Sequence, residues 1–507
     1  MAQQLQNITV AAPGFAGLNT QDSPIGGDPS FAAVADNCVI DKLGRIGARK
    51  GWEAVSSNGA SVLGSSRGIE SVFEYVKRDG TKIVFSAGNN KIFTGTSTLA
   101  AVTLPSGYSI SANNWKIVSF NNDVYFFQRG QASLVSVAGS TTLIAVVDGG
   151  TASPAANEVL GAYGRLWAAD VTGNKHTVYW SDLLDGDDWH GGSSGSLDLT
   201  LVWPTGFDEV VALAAHNGFL IIFGKKSIVV YSGASSPASM TLADTVEGVG
   251  CIARDSVQHT GTDILFLSDS GVRSFSRTIQ EKSMPMRDIS KNVRTDLTSL
   301  VPLQTNAIKS LYSADEAFYL LTLPNSDTTY CFDMRSPLQD GSQRATTWSN
   351  LHPLALTTTE TGAIYFGLAS GIVEYKGYLD GTANYQMRYF SNPMDFGNAS
   401  NLKFLKKFNI TIIGGQNTNA TLNWGYDYTT NFTKQVFTLT GSVNAGEYGV
   451  SEYNTTAEYT ATAIINTPKV NTSGSGEVVT IGIETEINDT SFSIQKIDIH
   501  ALLGRLI

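Results

Sequence analysis

The chain has 507 residues, a formal net charge of −11, and 42% hydrophobic but only 16% charged residues. That length holds two or three domains with real cores. The acidic balance offers no basic face of the kind that neutralises phosphates, and no apolar run approaches the length of a membrane span. Fifty glycines against fourteen prolines suit short strands joined by tight turns.

Residues 1–66 read as an irregular N-terminal segment. Gly14, Gly17, Pro24, Gly26, Gly27 and Pro29 punctuate its start. Residues 31–39 fit a short helix or strand. Leu43 to Trp52 reads as a turn, an exposed basic strand and an aromatic anchor. The stretch from Met1 to Thr20 lacks a basic flank and an apolar core, so no secretory signal is expected and synthesis in a cytoplasm follows.

Residues 67–384 repeat one phrase. A run of β-formers breaks at a turn, and a second run follows. The turns fall at Gly80, Asn122, Gly164, Gly218, Gly261, Asp315 and Gly362, a return every forty to fifty-odd residues. That period predicts a β-propeller, in which one blade cannot bury its own faces and the chain must close a ring. The clearest unit runs through 210–215, 219–223 and 227–231. Residues 264–267 and 272–275 repeat it across a Ser-Asp-Ser-Gly turn. Several of these strands are almost wholly apolar, as expected where neighbouring blades cover both faces. Residues 284–300 form the best helix candidate, with Ile289, Val293 and Leu297 on one face. An early segment is expected to complete the last blade.

The pattern changes at residue 385. About seven longer strands alternate, with Phe404, Phe408, Ile410 and Ile412 sharing one parity, then Leu422, Trp424 and Tyr426, then Val479, Ile481, Ile483 and Ile487. Phe492 and Ile494 switch parity to Ile497 and Ile499, which predicts a bulge. Residues 385–507 thus read as a β-sandwich of roughly immunoglobulin size. The fold class is all-β: a β-propeller-like repeat domain followed by a C-terminal β-sandwich. Lys403, Lys406 and Lys407 are the densest basic cluster and read as a solvated strand edge.

The best candidate for a site is the string Asp182-Leu183-Leu184-Asp185-Gly186-Asp187-Asp188-Trp189. Asp185 and Asp187 imitate the start of a calcium loop, but no Glu closes it. The loop reads more simply as Asx turns with Trp189 packed beneath. A glycosidase would need two carboxylates at a fixed separation, and the repeated Ser-x-Asp-x-Gly-x-x-Trp turns of sialidase-like propellers do not match Ser181-Asp182 or Ser268-Asp269. Nothing selects three among Arg129, Arg165, Arg254, Arg273 and Arg277, and Arg165 reads as a strand-edge residue. His176, His190, His216, His259, His352 and His500 never fall at metal-binding spacing. Cys38, Cys251 and Cys331 are too far apart to suggest a disulfide framework or zinc site, and are expected reduced and buried. No catalytic residue, metal ligand or cofactor is expected, and no enzyme activity.

Tyr163-Gly164-Arg165-Leu166-Trp167-Ala168-Ala169, then Thr177-Val178-Tyr179-Trp180-Ser181-Asp182, then Asp187-Asp188-Trp189 resembles the middle of the tail nozzle, or packaged-DNA stabilisation, proteins of short-tailed bacteriophages. The likeness continues through Ile221–Ile228, Ile264–Val272, Met394-Asp395-Phe396-Gly397 and the early Gly44–Gly51 phrase. It touches most of the chain at low density, and its motifs are packing and turn phrases. The resemblance implies a homohexameric ring in the virion tail, assembled in the host cytoplasm. Such a ring docks a portal adaptor protein above, to which residues 1–66 are a candidate contact, and fibre, spike or plug proteins below. It retains double-stranded DNA and conducts it during ejection without sequence-specific binding. Two other readings stay open: another tail component that attaches a fibre or spike, and a carbohydrate-active propeller with an accessory sandwich.

Overall fold

The computed structural model describes residues 5–23, 28–64, 68–148, 150–204, 206–281, 288–416, 418–440 and 465–506. The repeated hairpins build a β-propeller. Its first four blades are four-stranded antiparallel sheets spanning residues 69–101, 116–145, 156–198 and 210–247. A three-stranded sheet at 258–274 follows, then four-stranded blades at 309–349 and 355–375. The innermost strands of neighbouring blades pack side by side, except that Val210–His216 of the fourth meets the 3-10 turn Arg254–Ser256 before the three-stranded sheet, and Ala355–Thr358 meets Ile69–Val76 to close the ring.

Turn chemistry sets the repeat. Gly80, Asn122, Gly164, Gly218, Gly261 and Gly362 all have positive φ, between 72° and 88°, a region that glycine enters freely and asparagine tolerates. The turn at Asp315 differs: there Ala317 carries the positive φ, at 53°.

Aromatic side chains fill the spaces between blades. Phe85 meets Phe126 edge-on at 5.3 Å between the first two, and Phe223 meets Phe266 at 5.0 Å between the fourth and fifth. Trp348 stacks on Tyr375 at 5.4 Å between the last two. Each such pair adds roughly 0.5–1.5 kcal/mol beyond the area it buries.

The described residues among the first 66 are not irregular. They supply six strands to the two domains. Trp52–Ala54 pairs with Gly371–Tyr375 as the fourth strand of the last blade, so the expected closure is present. Leu5–Ala11 pairs along Phe492–Leu506 in the sandwich. Phe31–Asp36 lies against Tyr385–Ser391 and touches the sixth blade in place at one parallel bridge, Asp36 to Thr347. One ten-stranded sheet therefore runs from that blade into the sandwich.

The sandwich packs this sheet against a second one built on the long strands Asn401–Gly414 and Phe492–Leu506. The bulge expected near Ile494 is real: Thr411 faces Lys496 but Ile412 faces Ile494, leaving Gln495 over. A second bulge at Lys406 was not foreseen. It moves Phe404 off the buried row and puts Lys403 and Leu405 inside. The helix expected over 284–300 is shorter. Arg294–Leu300 is α-helical after a 3-10 turn at Lys291–Val293, and residues 284–287 lie outside the described residues. Phe275 starts an unexpected helix, Phe275–Glu281, where Asp263 Oδ1 accepts from Ser276 N (2.9 Å) and Ser276 Oγ (2.8 Å). That carboxylate caps the turn and ends the strand at Ser274.

Candidate functional site

The innermost strands carry polar residues near their starts: Glu70, Lys116, Glu158 and Lys309. The ring brings these together at its centre with Arg254 and Asp255, which sit on a 3-10 turn before the three-stranded sheet. The Arg254 guanidinium holds its neighbour Asp255 through Nε and Nη2 at 2.9 and 2.7 Å. It also reaches Asn157 O at 2.6 Å and Asn114 Oδ1 at 2.8 Å. Lys309 Nζ bonds Asp255 Oδ2 at 2.8 Å, and Ser310 Oγ bonds the Asp255 carbonyl at 2.7 Å. Lys116 Nζ lies 3.5 Å from Glu158 Oε2 and 3.9 Å from Asp255 Oδ1. Leu213 N, in the fourth blade, donates to Glu158 Oε1 at 3.3 Å.

Burial alone would push the Asp255 carboxyl up, but Arg254, Lys309 and Lys116 outweigh it and hold the group far below the usual carboxylate range. Glu158 is different. Desolvation raises its carboxyl against the pull of Lys116 and Arg254. Desolvation likewise lowers the Lys309 ammonium, with Asp255 opposing. The axial cavity that remains is about 110 Å³, lined by Glu70, Lys116, Asp255, Gln258 and Lys309 among others. Two carboxylates that act on a glycosidic bond must flank a sugar-sized space. Here Glu158 and Asp255 each face cations instead, an arrangement suited to bolting blades together.

The Asp182–Trp189 loop has the geometry of linked Asx turns. Asp185 Oδ1 accepts from Asp187 N (2.9 Å) and Asp188 N (3.3 Å). Asp188 Oδ1 accepts from His190 N and Gly191 N. Trp189 is buried beneath and donates to Gly186 O at 2.9 Å. Ser193 gives Asp182 a hydroxyl and a backbone hydrogen bond, which lower its carboxyl to about 2. No group of three metal-ligating side chains gathers among the described residues.

Arg165 is no edge residue. It is buried at the start of its strand and clamps the loop from below, through Ser181 O at 2.8 Å and Ser193 Oγ at 2.7 Å. Arg129 pairs with Asp170, whose other partner Asn157 also holds Arg254, while Arg273 bonds Ser268 and Ser270 and Arg277 bonds Gly341 O. His176 lies by Asp198 and Phe207, His352 by Asp327 and His500 by Asn409. The three cysteines are free and buried. A larger cavity, about 470 Å³, opens where the propeller meets the sandwich, beside Asp36, Tyr330, Thr347 and Arg388.

The axial network was missed in the sequence. Its signal was there, in the charged residue near the head of several first strands.

No family model and no curated protein matches this chain. Solved structures similar to it include a β-propeller domain. The WD40 β-propeller domain of Doa1 is 10% identical, with 64% of this chain and 96% of that one covered and a TM-score of 0.39. YCF48 from Cyanidioschyzon merolae is 12% identical over 64% and 98%, with a TM-score of 0.38. The extracellular domain of the one component system BT4673 from B. thetaiotaomicron is 10% identical, and the match covers 80% of this chain but only 57% of that one, at a TM-score of 0.42.

Proposed function

We propose that this chain is a structural tail nozzle protein of a short-tailed double-stranded DNA phage. In this reading six copies form a ring that extends the portal–adaptor channel, retains packaged DNA and conducts it during ejection. Fibre, spike or plug proteins dock below the ring. The phrases that resemble the nozzle family support it. The observation that carries it physically is the bolted axis: Arg254, Asp255 and Lys309 tie neighbouring blades across the centre of the propeller.

A propeller whose axis is filled by ion pairs is a rigid block rather than a tube. Each blade is clamped by two neighbours, and one continuous sheet couples the sixth blade in place to the sandwich. Blocks of that kind resist compression. In a ring, the DNA path runs between copies, not through any one propeller. A net charge of −11 suits a wall that repels phosphates and lets them slide. The carbohydrate-active reading fits less well, because Glu158 and Asp255 each already face cations.

Electron microscopy of the native particle tests the proposal. Six-fold class averages built from this 54.1 kDa chain, at the portal end of the tail, are the expected result. A single copy in the assembled tail, or a sugar-filled cleft on a solitary protein, overturns it.

A further inference from the structure

The outer face of one sandwich sheet gathers cations that the sequence scatters. Strand pairing sets Asn409 beside Lys469 on one side and Asp498 on the other. It sets Lys407 against His500 and Thr411 against Lys496. The alternate residues Phe408, Ile410, Ile497 and Ile499 are buried, so the polar set faces outward. Asp498 is already engaged by Lys496 Nζ at 2.8 Å and Thr9 Oγ1 at 2.6 Å. Lys406, Lys407 and Lys469 make no ion pair among the described residues. A chain of net charge −11 thus carries a basic sheet face.

The opposite surface exists on the propeller. Asp185 and Asp188 lie on one edge of the third blade, and Asp148, on the link from the second blade, is near enough that burial and Asp188 together push its carboxyl up. Beside them Leu183 and Leu184 are 53% and 60% exposed, and Leu184 holds a positive φ of 59°. Its carbonyl is fixed by Asn121 Nδ2 at 2.9 Å, so the apolar tip is positioned rather than loose.

We propose that the basic sandwich face of one copy docks on this acidic, leucine-tipped edge of a second copy. The inference rests on the ring proposed above. A head-to-tail contact needs two different, complementary patches on one chain, and its repetition gives a ring where the rotation between copies closes. Opposite charge steers and registers such a contact. Duplex DNA is the competing occupant of the lysine face, but it leaves the aspartate–leucine edge without a partner.

The test uses full-length chain in two isotopic forms, mixed and treated with a carbodiimide that joins amines to carboxylates. Mass spectrometry is expected to find isotope-mixed links from Lys406, Lys407 or Lys469 to Asp148, Asp185 or Asp188. K407E/K469E is expected to weaken self-association at least about tenfold, with partial recovery when D185K/D188K is added to the same chain. Rising salt is expected to weaken it too. A ring that persists in K407E/K469E without mixed links overturns this contact and leaves the nozzle reading standing. Wild-type chain that forms no ring, alone or in the tail, overturns both. Duplex DNA bound by wild type and lost in K407E/K469E, with the ring unchanged, assigns the face to nucleic acid and overturns the contact.

Discussion

Lys309 and Asp255 meet at 2.8 Å near the propeller axis, and they come from adjacent places in the ring. Asp255 also carries Arg254, so one carboxylate neutralises two largely buried cations. Removing it leaves Lys309 without its counterion and Arg254 with only the more distant Glu158. Asp255→Asn is therefore expected to cost about 3–5 kcal/mol, the range for breaking a buried pair from one side. Urea unfolding followed by tryptophan fluorescence measures it. D255N/K309M is expected to recover part of the loss, because it removes one of the stranded charges as well. A loss below 1 kcal/mol in D255N contradicts the bolt.

The same pair fixes an acid limit. The folded carboxyl of Asp255 lies well below its unfolded value, held by Arg254, Lys309 and Lys116 against the cost of burial. Stability from a depressed carboxylate is fully present above the unfolded value, roughly pH 4. It is lost as pH falls from there toward the folded value. Wild type is expected to lose stability steeply below about pH 4, and D255N to show a flatter acid limb. Unfolding midpoints across an acid series decide it.

Ser193 holds the Asp182 carboxyl low. Its hydroxyl and backbone N–H both donate to Asp182 and hold that carboxyl at about 2. Ser193→Ala removes the hydroxyl and leaves the backbone bond. The Asp182 carboxyl is expected to move up toward the ordinary value near 4. Carboxylate carbon shifts followed by NMR through a pH titration show the movement. An unchanged titration rules the hydroxyl out as the main cause.

The hairpins were legible because their turns demand particular residues. Gly80, Gly164 and Gly218 stand where φ is positive, and the strands beside them read as apolar because blades cover both faces. The sandwich was legible by alternation, including the bulge at Gln495. Other features had no local signal. Val10 pairs with Ile497, almost the whole chain away, so its strand looked like loose N-terminal sequence. The bulge at Lys406 reverses parity within a run that reads as regular, which misplaced Phe404 and Lys403. The axial bolt joins residues from separate blades, and no single window contains more than Arg254 and Asp255. Lys469 and Lys496 join Lys407 only through sheet register.

Arg49 is the pin between the domains. Its guanidinium binds Asp380 through two parallel bonds, at 2.8 and 2.7 Å, and lies 4.1 Å from the centre of the Tyr385 ring. A lysine keeps the charge but cannot form the fork or stack as a plane. Arg49→Lys is expected to cost about 2 kcal/mol and Arg49→Ala about 3–5 kcal/mol. Limited proteolysis near residue 380 should accelerate in both. Equal stability of the lysine variant and wild type contradicts a role for the fork.

Ring closure depends on a contact that leaves no room. Trp52 begins the strand that completes the last blade, and its ring lies over Gly381. A Cβ on residue 381 would stand 2.7 Å from the indole, and the φ there is +69°. Both features oppose any side chain: the backbone conformation costs about 1–3 kcal/mol for a non-glycine residue, and overpacking costs about 1–3 kcal/mol more. Gly381→Val is thus expected to lose about 2–6 kcal/mol in urea unfolding. Hydrogen exchange should then rise first in Trp52–Ala54 and Gly371–Tyr375, the two strands that hold the blade shut. Tightening of exchange at those strands, or none at all, means that the ring is closed by something other than this seam.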